Sequence, residues 1–273
     1  MPRLQVQSQV PLKGINVTVL DTHSSTPNKI LISWSGGKDA ALVLYYLQAQ
    51  HGSIHIELLT NVNSDYQTIA MHGVPVHLLR QQAAALGLPL TEISMPEMPT
   101  NAHYENTMGL ALKNFKTQGV DTVVFGDIFL EDLRSYREQQ LAPFGMKAMF
   151  PLWKISTHDI VYNFIALGFK AIVCCVNGAY LSEDFLGKII DADFVKGLPA
   201  NVDPCGENGE FHSFVFDGPN FKTPVPFIVG EKYFKKFVTP QTTTLQSDHS
   251  STAEPFSNGF WYCKLVAETE IEQ

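Results

Sequence analysis

The stretch Lys29–Gln50, KILISWSGGKDAALVLYYLQAQ, decides the fold. Lys29–Trp34 is apolar and rich in β-branched side chains, the composition of a strand buried on both faces of a parallel sheet. Lys38–Gln50 has helical spacing, with Ala41, Leu42, Tyr45 and Tyr46 or Leu47 on one side. Between them lies Ser35-Gly36-Gly37-Lys38-Asp39. Two glycines permit positive φ and remove side chains, so successive N–H groups can converge on an anion. The helix N-terminus adds a partial positive charge there. Lys38 adds a full, mobile one, and Asp39 can cap the helix or hold Mg²⁺ beside phosphates. The spacing is not the Walker pattern GxxxxGK[ST]. Ser35, Gly36, Gly37, Lys38 and Asp39 are therefore candidate nucleotide-binding residues.

Working outward, the strand–helix rhythm repeats. Strands are expected at 54–62, 88–94, 121–127, 146–153 and 171–176. Helices are expected at 74–86, 104–117, 130–141 and 157–167, three of them stopped by Gly87, Gly119 and Gly168. Such alternation predicts an α/β fold with a doubly wound, mostly parallel sheet covered on both faces. Right-handed crossovers then gather the loops after each strand along one edge, where ligands bind. After about residue 180 the rhythm breaks. One more helix is expected at 181–190, a structured loop at 201–218, and antiparallel strands at 211–216 and 227–229. The expected organisation is an N-terminal extension (1–28, with a short strand at 15–20), a nucleotide-binding domain (29–150) and a smaller C-terminal α+β substrate domain (151–238). A flexible segment and closing strand (239–273) complete it. The apolar run Gly259–Val266 after that polar stretch hints at a dimer arm, and so at a homodimer.

Bulk properties narrow the function. Hydrophobic residues make up 45% of the 273 and charged residues only 17%, enough for a core and too few charges for a disordered chain. A net charge of −8 and the lack of a Lys/Arg run argue against nucleic-acid partners. A bound nucleotide must then be held by local dipoles and a few cations. The four cysteines, Cys174, Cys175, Cys205 and Cys263, form no CxxC pair, so they read as reduced thiols of a cytoplasmic protein rather than zinc ligands. Residues 1–14 lack the apolar core of a signal peptide, and no run is long enough to span a membrane.

The loop is similar to the SGGxDS pyrophosphate loop of the ATP pyrophosphatases, which include GMP synthetase, asparagine synthetase and tRNA-thiolating enzymes. Ala40 stands where that motif ends in Ser. One lost hydrogen bond to a charged group costs about 1.5–3 kcal/mol, which weakens binding without abolishing it. Three further segments sharpen the resemblance: Met71-His72-Gly73-Val74 with Gln81-Gln82-Ala83; Gly126-Asp127-Ile128 with Arg134, Glu138 and Pro151-Leu152-Trp153; and Asp203-Pro204-Cys205-Gly206-Glu207-Asn208-Gly209-Glu210-Phe211-His212. In this order they resemble the diphthine–ammonia ligase family, in its bacterial-type relatives.

That resemblance implies an adenine-nucleotide α-hydrolase-like domain followed by a smaller α+β domain. It implies an enzyme, an AMP-forming ligase using ATP and Mg²⁺. A carboxylate, free or protein-borne, is adenylated with release of pyrophosphate, and ammonia converts it to an amide. Diphthine of elongation factor 2 is the acceptor of the eukaryotic and archaeal members; the acceptor of the bacterial type stays open.

The resemblance also assigns roles. Asn61, at the end of the second strand, and His72 shape the adenine pocket, and Gly126 sits with Asp127 at the ligand edge. Asp127 binds Mg²⁺ or the incoming amine, or merely caps the next helix. Arg134 serves the substrate or phosphates, or forms only an i, i+4 surface pair with Glu138. Glu207 and Glu210 bring two carboxylates together to deprotonate ammonium, orient an amine or complete a metal shell, or they are solvated acids of a tight turn. Lys38, Asp127, Glu207, Glu210 and Arg134 are thus the catalytic candidates, with Asp39 and Asp127 for magnesium. His212 is a further general-base candidate, or is buried. Cys205 lacks the triad spacing of a glutaminase, leaving free ammonia as nitrogen donor. Two alternatives remain: an ATP pyrophosphatase acting on another acceptor such as tRNA, and an ATP-binding protein that has lost turnover, to which Ala40 points.

Overall fold

The computed structural model describes residues 29–50, 54–236 and 259–268. The extension at 1–28, its expected strand and the flexible stretch at 239–258 lie outside the described residues. The first sheet is built around β1 (Lys29–Ser33), which pairs in parallel with β2 (His55–Asn63) on one side and β5 (Thr122–Val124) on the other. β4 (Leu90–Met95) lies beyond β2, and β6 (Lys147–Met149) lies beyond β5, both parallel. A two-residue strand missed in the sequence, β3 (Thr68–Ile69), returns antiparallel to the end of β2. Helices α1 (Lys38–Gln50), α2 (Val76–Leu86), α3 (Asn101–Thr117) and α4 (Glu131–Leu141) make the connections.

Both faces of this sheet are covered, as the apolar β1 run demands. Ile30 and Ile32 join the core that holds α1 and α2, while Leu31 points to the opposite cluster with Leu112 and Phe115 of α3. The chain winds from β1 through β2 to β4, then back across β1 to β5 and β6. Strand order therefore reverses between β1 and β5. Loops diverge at such a point and leave a crevice at the carboxyl ends of the strands.

β5 and β6 are shorter than expected. After Val124 one more ladder bond forms (Phe125 N–H to Met149 O, 2.9 Å), and then the chain leaves the sheet. Pro151 has no N–H to continue the β6 ladder, and Trp153 closes a turn onto Phe150 O instead.

A second, antiparallel sheet accompanies the parallel one, and it takes the strand expected at 171–176, which the strand–helix rhythm groups with the parallel strands. After α5 (Thr157–Ala166), β7 (Lys170–Asn177) pairs antiparallel with β8 (Phe211–Asp217) and with β10 (Gly259–Val266). β9 (Ile228–Lys236) lies outside β10. An apolar run reports burial on both faces but not the direction of its neighbours. The closing strand β10 thus sits inside the sheet of its own chain, which removes the reason for reading it as a dimer arm. The helix expected at 181–190 is also absent. Only Glu183–Phe185 makes a 3-10 turn, and residues 187–190 run along the part of β7 that β10 leaves uncovered. Gly187 N–H and Ile190 N–H satisfy Val173 O and Ala171 O there, bonds a helix would forfeit. The helical turn comes later, as α6 (Ala192–Lys196), capped by Asp191. Among the described residues no helix is long and apolar enough to cross a membrane.

Candidate active site

The crevice between β1 and β5 holds the loop Ser35–Asp39, bolted in place from the second sheet. Gly36 adopts φ +77°, and its carbonyl accepts from Val215 N–H of β8 (2.9 Å) and from Gln82 Nε2 (3.1 Å). Gln82, fully buried on α2, also donates to Val215 O (2.6 Å) and accepts from Trp34 Nε1 (2.7 Å). Ser35 Oγ accepts from Gly37 N–H (3.2 Å), and Ser213 Oγ of β8 accepts from Lys38 N–H (3.2 Å). At Gly37 a Cβ would stand 2.9 Å from His72 Cε1 and 3.3 Å from Ser213 O, so only glycine keeps the passage open. At Gly126 a Cβ would lie 3.1 Å from Asp39 Cβ and 3.2 Å from Ala40 N. That glycine lets the chain leaving β5 rest on the first turn of α1.

Two adjoining cavities flank this loop. The larger, about 410 Å³, reaches from Asn61 at the end of β2 past Ala40 to Phe125 and α4. The smaller, about 170 Å³, lies between the glycine loop and Cys205–Ser213, and Gly37, Lys38, Gly206 and Phe211 line it. Ser35, Asp39, His72, Asp127, Glu207 and His212 face both. Buried polar atoms rarely go without a partner. Here Asp39 Oδ1, Thr60 Oγ1, Asn61 Oδ1 and His212 Nε2 are buried without a hydrogen bond, Asp127 Oδ2 and Arg137 Nε have only each other at 3.5 Å, and all line these cavities.

Lys38 is buried, and its ammonium donates to Asp39 Oδ2 (2.7 Å) and to the carbonyl of Cys205. Burial works against its charge, but Asp39 and the other anions nearby outweigh it and hold the ammonium above its usual range. Asp127 forms an ion pair with Arg137 (3.5 Å), which lies over the Phe125 ring. Burial, only partly offset by Arg137, pushes the Asp127 carboxyl up.

The two glutamates of the GENGEFH segment do not pair. Glu207 points into the cavities, and its Oε1 accepts from Ile128 N–H (2.6 Å) and Phe129 N–H (3.4 Å). Burial first, and Asp39 next among the groups that raise it, lift its carboxyl to about 7 against the pull of the Ile128 amide. Glu210 is buried at 1% exposure and turned inward. It accepts from Asp203 N–H (2.9 Å), Asn208 N–H (3.0 Å) and Asn208 Nδ2 (3.0 Å), so it holds the loop rather than facing ligand. Arg134 also stands apart. It pairs with Glu138 (2.9 Å), lies over Phe150 and Trp153, and lines neither cavity. The α4 cation that does enter is Arg137, one turn on. Sequence reasoning missed it because helix phase, not motif, decides which arginine faces inward. Gln82 and Ser213 were missed as well, since their partners come from another sheet. Cys205 gives the site its carbonyl, while its buried thiol donates to Thr157 O (3.2 Å) and is pushed up by burial.

His72 and His212 lie against one another with ring centroids 4.7 Å apart and planes tilted by 37°. His72 Nδ1 lies 3.0 Å from Ser213 O, and a carbonyl only accepts, so Nδ1 carries the proton. Burial lowers His72 to about 4 and His212 well below its usual range.

Sequence comparison places this geometry. The chain matches the sequence model of the diphthamide synthase N-terminal domain over residues 28–148 and that of its C-terminal domain over 156–240. The chain belongs to the diphthamide synthase family. Within the family it is 25% identical to the diphthine–ammonia ligase of Bos taurus over 219 residues, 70% of this chain and 79% of that one. It is 28% identical to that of Danio rerio over 217 residues, 70% and 83% of the two chains. Among solved structures it is similar to the U34-tRNA thiolase NcsA of Methanococcus maripaludis (TM-score 0.38, 16% identity, 57% of this chain and 63% of that one). It is likewise similar to the FMN adenylyltransferase of Candida glabrata in complex with ATP (TM-score 0.35, 18% identity, 52% and 48%). Neither likeness bears on the reaction.

Glu207 makes a pH test of this candidate site. Its folded carboxyl lies above the ordinary glutamate value of 4.5. The folded state therefore holds a proton that the unfolded state has lost, and stability falls as pH rises from about 4.5 to about 7. Glu207→Gln should remove that slope. Urea unfolding is expected to show the variant more stable than wild type at pH 8, by about 1–2 kcal/mol with its partial exposure counted, and the gap should close at pH 5.

Proposed function

We propose that this chain is an ATP-dependent, AMP-forming ligase that adenylates a carboxylate and passes it to ammonia; the names of its relatives, diphthine–ammonia ligases, support the joining of a carboxylate to ammonia. The observation that carries the reading is the bipartite cavity, with unpartnered polar atoms and a buried lysine at its waist. The larger cavity suits adenosine and acceptor, with Asn61 and Thr60 offering oxygens to the base and sugar. The smaller one suits the departing pyrophosphate, beside Gly37, Lys38 and the first turn of α1.

Asp39 Oδ1 and Asp127 Oδ2 fit magnesium, which commonly takes one or two carboxylates together with substrate phosphates. Among the described residues no group of three His, Cys, Asp or Glu is arranged to hold a metal by itself. Magnesium would supply charge neutralisation at the phosphates. The acceptor carboxylate oxygen attacks the α-phosphorus as the bond to the β-phosphate oxygen breaks. Ammonia then attacks the acyl carbon, and AMP leaves. Glu207, poised near neutral pH, takes the proton that ammonium must lose, and the Ile128 and Phe129 amides hold it in place. Arg137 orients the acceptor carboxylate from α4. A second reading, nucleotide binding without turnover, is favoured by one observation: Ala40 lines the larger cavity where a hydroxyl would meet phosphate.

Incubation with Mg-ATP, ammonium chloride and diphthine-bearing elongation factor 2 should release AMP and pyrophosphate in equal amounts. ADP and phosphate as products would exclude the mechanism. Nucleotide binding with no turnover, on this acceptor and across a broad panel of other carboxylates, would select the second reading.

A further inference from the structure

The empty pocket is poorly charged for the ligand just assigned to it. Its buried cation, Lys38, is already neutralised by Asp39, and Asp127 and Glu207 add acid nearby. The chain as a whole carries −8. Arg137, the cation that lines the larger cavity, is already paired with Asp127, so a polyphosphate, even one carrying magnesium, gains from further positive charge at this site.

Two neutral bases stand ready to supply it. His72, in the loop after β3, and His212, on β8, line both cavities where the glycine loop meets Cys205–Ser213. His212 Nε2 is buried without a hydrogen bond. His72 spends Nδ1 on Ser213 O and keeps Nε2 as its basic nitrogen. The groups that face them are Lys38 from α1, Asp39 beside it, Asp127 after β5, and Glu207 from the opposing loop.

We propose that His72 and His212 are a proton-linked part of the polyphosphate site: when a triphosphate or pyrophosphate enters, the pair takes up a proton from solvent and becomes a cation against the ligand. The inference rests on the nucleotide reading of this same site. The ring centroids are only 4.7 Å apart, so two imidazolium charges would repel and one proton for the pair is the stable loaded state. In the empty site, burial and then the charge of Lys38 hold the pair neutral, with His72 at about 4. A phosphate charge at contact distance is large enough to lift an imidazole from there to near neutrality. Release of pyrophosphate would return the proton and switch the attraction off. Affinity should then fall as pH rises through the loaded-state value, by up to about tenfold per pH unit.

Calorimetric titration with α,β-methylene-ATP and Mg²⁺ in buffers of different ionisation enthalpy tests this. The work is done on Glu207→Gln protein, so that Glu207 contributes no proton. Near pH 6, binding should be accompanied by uptake of about one proton per site more than in the same protein carrying His72→Asn and His212→Gln. His72→Asn retains a donor for Ser213 O, and His212→Gln retains polar atoms near the Nε2 position, so both should fold. If they do not, the ring carbon shifts of labelled histidine in the Glu207→Gln protein, titrated with and without nucleotide, give the same answer. Adenosine, which has no phosphate, should give no such uptake. Equal uptake with and without the two histidines, or a histidine titration that nucleotide leaves unmoved, overturns the inference while the nucleotide reading stands. No binding of α,β-methylene-ATP at all sinks the nucleotide reading and this inference with it.

Discussion

Lys38→Met is expected to weaken Mg-ATP binding by about 100-fold or more and to destabilise the fold by about 3–5 kcal/mol. The size follows from where the ammonium sits. Lys38 is 4% exposed and ties two elements together: within α1 it pairs with Asp39 at 2.7 Å, and it reaches the loop at Cys205 through that residue's carbonyl. Methionine fills much of the same volume but leaves Asp39 a half-buried, unpaired carboxylate. Removing one partner of a buried pair costs more than the pair contributes, because the remaining charge keeps its desolvation penalty. The ligand loses a charge-assisted contact at the same time. Equilibrium unfolding gives the stability change, and calorimetry gives the affinity. A variant that binds Mg-ATP within about threefold of wild type, close to the experimental margin of 0.6 kcal/mol, would remove Lys38 from the phosphate site.

Glu210→Ala should be the most damaging change in the GENGEFH segment, with a stability loss of about 2–4 kcal/mol. Three N–H donors lose their acceptor, a carboxylate that is itself 1% exposed. The half-buried Asp203 amide costs about 1–3 kcal/mol without a partner, while water replaces part of the loss at exposed Asn208. Asp203, whose amide Glu210 holds, in turn accepts from Cys205 N–H (2.8 Å) and Glu207 N–H (3.2 Å). Loosening Glu210 therefore displaces both the carbonyl that receives Lys38 and the carboxylate that faces the cavities. Nucleotide affinity should fall together with thermal stability. Glu210→Gln keeps one acceptor oxygen and is expected to fall between wild type and alanine. Glu207→Gln should behave in the opposite sense, holding or gaining stability above neutral pH. Similar melting temperatures for Glu207→Gln and Glu210→Ala at pH 8 would show that the inward role of Glu210 is wrong.

The contrast between these glutamates shows how far sequence could reach into the site. Both acids stand in one short segment, and spacing alone made them a candidate pair. The bend of the chain around Gly206 and Gly209, both at positive φ, turns one carboxylate outward and the other in. Arg134 and Arg137 repeat the lesson on a helix. They stand three positions apart, and packing of α4 over β6 and Phe125 decides which one enters the cavity. A motif fixes residue types and spacing, but side-chain direction depends on neighbours far along the chain.

By itself the sequence determined the first sheet and the place of its crevice. An apolar strand, a glycine turn and a helix rich in small and apolar residues can satisfy their backbone and bury their surface in few ways, and Lys29–Gln50 does so as expected. Local periodicity carries that information because each element's buried face is written along its own residues. Tertiary structure alone decided that β7 begins a second, antiparallel sheet, that β10 fits between β7 and β9 of the same chain, and that β8 closes over the glycine loop through Ser213 and Val215. The physical reason is that strand pairing and buried hydrogen bonds are satisfied across large separations in sequence, where no local pattern records the partner.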